Sequence, residues 1–165
     1  MKLMFTSLLL AVLCFSASQA QTEDHSVARQ WSEVLLEGIR GDRARPVVHA
    51  RNLYHISAAM YDTWAAITGK GNFVFLGRTF GNYEFTFDQT AMGQYEDEEA
   101  ALDEAISFAA YRIIKQRFAG GEGQTAAGQL MVDLGYDTTI VSPNYTSEVP
   151  AHLGNYVAEM VLAYG

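Results

Sequence analysis

The sequence predicts an all-α chain, about five helices in a bundle, with one long Gly- and aromatic-rich connection that has room for a short β-hairpin. Three observations carry this. Apolar residues recur at spacings of three and four through several segments. Helix punctuation bounds those segments, with Pro46 and Pro150 at starts and Gly41, Gly120, Gly121 and Gly135 at ends. Period-two alternation is confined to Tyr83, Phe85 and Phe87.

The first twenty residues stand apart. Lys2 precedes an apolar core from Met4 to Phe15, and Ser18 and Ala20 supply small residues where a signal peptidase cuts. Residues 1–20 therefore read as a signal peptide and 21–165 as the mature chain, exported to a periplasmic or secreted location. After it, Asp24 and Ser26 are both suited to cap a first helix ending near Arg40, with Val27, Trp31, Val34, Leu35 and Gly38 inward and Gly41 as its C-terminal glycine.

Pro46 suits the first turn of a second helix to about Thr68. Val47, Ala50, Tyr54, Ala58, Tyr61 and Ala65 form one apolar stripe, and Leu53, Met60, Trp64 and Ile67 form another, a circumference expected of a central helix. The connection spans 69–93 and its aromatics are expected to lie against the helices or a following segment.

A third helix starts near Glu96. Asp97, Glu98, Glu99 and Asp103 crowd its start and Arg112, Lys115 and Arg117 its end, in the sense the macrodipole favours, so the acidic cluster reads as solvated helix-start charge. Leu102, Ala105, Ile106, Ala109 and Ile113 are its buried stripe. A fourth helix runs from about Gln124 to Leu134. Ser147 as cap and Pro150 in the first turn open a fifth, with Leu153, Val157, Val161 and Tyr164 on one face and Gly154 and Ala158 permitting close approach.

Composition excludes several functions. Without Lys2 the chain carries 10 Lys+Arg against 19 Asp+Glu, with no basic run, so it lacks the footprint that nucleic acid requires. The single cysteine, Cys14, lies in the leader, leaving no mature thiol or disulfide. No apolar run beyond the leader is long enough to span a bilayer.

Motifs for chemistry are sparse. There is neither a Gly-x-Ser-x-Gly elbow nor a phosphate-cradling Gly-x-x-x-x-Gly-Lys, and His49 and His55, six apart, project to different faces of one helix. One constellation stands out. Arg51, His55 and Asp62, four and seven apart, share one side of the second helix, where a buried arginine would pair with the aspartate and orient the histidine. It reads either as an anion site or, with more weight, as a polar seam docking onto another segment.

Several phrases resemble the N-terminal region of the vanadium-dependent haloperoxidase-like proteins of the type 2 phosphatidic acid phosphatase superfamily. They are Arg45-Pro-Val-Val-His49, His49-Ala-Arg-Asn-Leu53, Ala59-Met-Tyr-Asp-Thr-Trp64, Leu134-Gly-Tyr-Asp137, Pro150-Ala-His-Leu-Gly-Asn155 and Val161-Leu-Ala-Tyr-Gly165. That family holds vanadate or phosphate with Lys-x6-Arg-Pro, Pro-Ser-Gly-His and Ser-Arg-x5-His. None is present: Gly38 stands seven before Arg45, Asn144 and Ala151 follow Pro143 and Pro150, and no Ser-Arg occurs. The resemblance implies an incomplete N-terminal region, from a truncated gene product or incomplete gene model, that is inactive alone. Its expected partner is a C-terminal catalytic region or another helical segment. Vanadate, and with it halide oxidation by peroxide or phosphoester hydrolysis, is expected only in a full-length member. The alternative is a stand-alone periplasmic helical binding or interaction module. Under the first reading, the second and fifth helices should leave apolar surface uncovered.

Overall fold

The computed structural model describes residues 25–165, so the leader and Asp24 lie outside the described residues. Among them the fold is all-α. Its helices are α1 (Val27–Gly41), α2 (Pro46–Thr68), α3 (Glu98–Arg117), α4 (Glu122–Asp133) and α5 (Pro150–Tyr164). Between α2 and α3 lies the expected hairpin, β1 (Thr79–Phe80) and β2 (Tyr83–Glu84), antiparallel with Thr79 opposite Glu84 and Phe80 opposite Tyr83. No helix among the described residues is long and apolar enough to cross a membrane.

Local chemistry accounts for the ends. Ser26 caps α1 by accepting from the Arg29 N–H at 3.4 Å, and Asp97 caps α3 by accepting from the Ala100 N–H at 3.0 Å. Within the acidic cluster Asp97 is thus the cap itself, with Glu98 and Glu99 exposed in the first turn. Two expected end signals are corrected. Gly41 is the last residue of α1, with extended Asp42 as its C-cap, and a Cβ at 41 would crowd the Glu122 side chain. Ser147 is not the cap of α5; Val149 is, and it has no side-chain acceptor to offer. Glu104 of α3 fills that role from across the interface, accepting from the Ala151 N–H at 3.3 Å.

The central helix is α3, not α2. It packs against each of the other four helices, and Ala101, Ala105, Ile106, Phe108, Ala109, Ala110, Tyr111, Ile113 and Ile114 are buried around most of its circumference. Each large side chain buried this way contributes roughly 1.5–3 kcal/mol relative to exposure. The closest approach is to α5, where a Cβ on Gly154 would stand 2.2 Å from the Ala105 carbonyl oxygen. On α1 the buried set is the expected one, and the Trp31 indole N–H donates to Ser107 Oγ of α3 at 2.9 Å.

Much of the apolar stripe assigned to α2 faces solvent. Val47 is 85% exposed, Tyr54 53%, Leu53 39% and Tyr61 37%, while His49, Asn52, His55, Asp62 and Thr63 point inward with Ile56, Ala58, Ala59, Ala65 and Ala66. The long connection explains this inversion. Its aromatics fold back against α2 and α5, with Phe75 stacked on Phe85 at 4.8 Å and both fully buried, and this segment offers backbone N–H groups that polar residues of α2 can satisfy.

Candidate functional site

Asp62, Arg51 and His55 do not form one site. Asp62 is fully buried and its carboxylate belongs to the connection: Oδ1 accepts from the Val74 N–H at 2.6 Å, and Oδ2 from Phe75 at 2.7 Å and Leu76 at 3.0 Å. Burial pushes this carboxyl above the usual range, and the three N–H groups work against that rise. Arg51 stays exposed, so the expected pairing with Asp62 is not made.

His55 takes a different arginine. Arg117, at the end of α3, donates from Nη2 to His55 Nδ1 at 2.8 Å and from Nη1 to Asn52 Oδ1 at 3.3 Å. A guanidinium only donates, so His55 Nδ1 is an acceptor and the neutral ring carries its proton on Nε2. Around the ring lie Tyr54 at 5.8 Å, Phe75 at 5.6 Å and Tyr164 at 5.8 Å. Burial first, then the charges of Arg117 and Arg51, hold its pKa down at about 4. Arg117 is itself lowered to about 10 by burial and by Arg51, and remains a cation at neutral pH.

The His55 Nδ1 lone pair and both Asp62 oxygens accept from N–H donors. What remains is positive: half-buried Arg117, with exposed Arg51 one residue from Asn52 and one turn from His55. His49 lies apart, its Nε2 N–H donating to the Arg43 carbonyl at 2.9 Å. Among the described residues no three His, Cys, Asp or Glu side chains converge as metal ligands would.

Elsewhere, an open depression of about 510 Å³ is lined by Tyr95, Asp97, Ala101, Glu104, Glu148 and Pro150. Burial raises Glu104 and pushes Tyr95 up to about 12, but Glu104 is already the cap of α5. A second polar node, which spacing within one helix could not reveal, joins α3 to α5. Arg112 donates to Asn155 Oδ1 at 2.9 Å, Ile140 O at 2.7 Å and Thr138 O at 3.2 Å, and Asn155 donates to Ile140 O at 2.9 Å and Ser142 O at 3.1 Å. It fixes the 138–142 turn, as Asp62 fixes residues 74–76. No family model, curated protein or solved structure matches the chain.

Proposed function

We propose that this chain is the N-terminal helical part of an exported vanadium-dependent haloperoxidase-like protein, acting as a docking scaffold for another helical segment, without oxyanion chemistry of its own. The exposed apolar ridge of α2, formed by Val47, Leu53, Tyr54 and Tyr61, carries this reading. A row of that kind beside a well-filled core is the signature of a surface that another element covers. The wording shared with that family supports the affiliation, and the absence of its three oxyanion motifs supports a non-catalytic role. Vanadate would then be held by other residues of a full-length member.

Two measurements test this. Purified chain with vanadate, peroxide and bromide should show no turnover; turnover abolished by His55→Ala would overturn the scaffold reading. It should also bind a hydrophobic dye, less so after Leu53→Glu, and a failure to bind would remove the docking argument. A stand-alone exported helical interaction module is the second reading. Its support is the continuous core from Trp31 through Phe108 to Leu153, which closes among the described residues. The reading frame beyond the Gly165 codon separates the two: Pro-Ser-Gly-His in a continuing frame supports the first.

A further inference from the structure

We infer that the α2 ridge receives an acidic amphipathic helix, whose carboxylates pair with Arg51 and Arg117 along the ridge's edge. This rests on the docking reading above and adds the chemistry of the occupant. The first support is the charge on the ridge. The only charged residues of α2 are Arg51 and Asp62, and Asp62 is fully buried and engaged by three backbone amides. The exposed charge on α2 is therefore positive only, beside apolar groups, the Ser57 hydroxyl and the tyrosine hydroxyls, on a chain whose formal net charge is −8.

Arg117 supplies the second support, independently of exposure. It donates to two neutral acceptors, Asn52 Oδ1 and His55 Nδ1, and among the described residues neither it nor Arg51 is in an ion pair with a carboxylate. The charge of Arg51 bears on Arg117, whose basicity is lowered first by burial and then by that neighbouring guanidinium. Five N–H donors per guanidinium leave several unspent, and a carboxylate would take two at once while removing the repulsion. Val47, Tyr54 and Tyr61, each seven apart, with Leu53 beside them, present the spacing that a second helix meets with its own apolar face.

The probes are two synthetic amphipathic peptides with one leucine ridge, flanked by glutamates in one and lysines in the other, followed by fluorescence anisotropy. The glutamate peptide should bind about tenfold more tightly than the lysine peptide, weaken with added salt, and lose about tenfold on Arg51→Glu, which alters only a surface side chain. Equal binding of both peptides, or indifference to Arg51→Glu, would overturn the charge inference while leaving docking intact. A preference for the lysine peptide or for phosphatidylcholine vesicles would overturn it too. If neither peptide binds and Leu53→Glu leaves dye binding unchanged, the docking reading itself falls.

Discussion

At the scale of single residues, Asp62 does the most for the least exposure. Its two oxygens satisfy three successive amides of the connection, so truncating it leaves three donors without their acceptor. Asp62→Ala should cost about 3 kcal/mol in chemical denaturation, and Asp62→Asn less, since one amide oxygen remains to accept. A loss within experimental error for Asp62→Ala would mean that residues 74–76 hold their place without it. The shared side of Arg51, His55 and Asp62 followed from helical spacing, as did a polar seam docking onto another segment. Which segment docks was not readable. Arg117 lies 62 residues beyond His55 and the amides of 74–76 carry no side-chain signature, so periodicity within α2 could name neither partner.

Between elements, the α3/α5 seam is the tightest. A methyl group at 154 would meet the Ala105 carbonyl oxygen at 2.2 Å and Phe108 Cβ at 2.8 Å, and neither can retreat without parting the helices. Gly154→Ala should therefore cost roughly 3 kcal/mol, despite alanine's better helix propensity, and be read as a lowered midpoint in thermal unfolding. An unchanged or raised midpoint would show that the seam yields. Helix boundaries were legible where a proline or a side-chain cap marked them, as at Ser26, Pro46 and Pro150. They were misread where the determinant was tertiary. Glu122 packing against Gly41 and Glu104 capping α5 are supplied from elsewhere in the fold. The same holds for α2, whose stripe counted apolar residues but could not show that the aromatic connection covers the opposite face.

For the whole molecule, the buried titratable groups set an acid limit. His55, ordinarily near 6.5, is held at about 4 by burial and by its two arginine neighbours. Between those values the unfolded chain binds a proton on this ring that the folded chain refuses, so stability rises with pH across the window and is lost on acidification through it. Asp62 and Glu104 are raised, so the folded state takes up their protons first and they act in the opposite sense at lower pH. Urea unfolding from pH 7 to pH 4 should thus show a decline that His55→Gln flattens; an identical slope in the variant would assign the loss to other groups.

The seam at Gly154 also bears on how the protein is made. The face of α3 around Ala105 and Phe108 is covered by residues from Pro150 onward, which leave the ribosome well after α3 itself. Until they emerge, the central helix of the nascent chain has an open flank. Folding of this core therefore waits on α5, and until α5 emerges the growing chain keeps a form that chaperones can recognise.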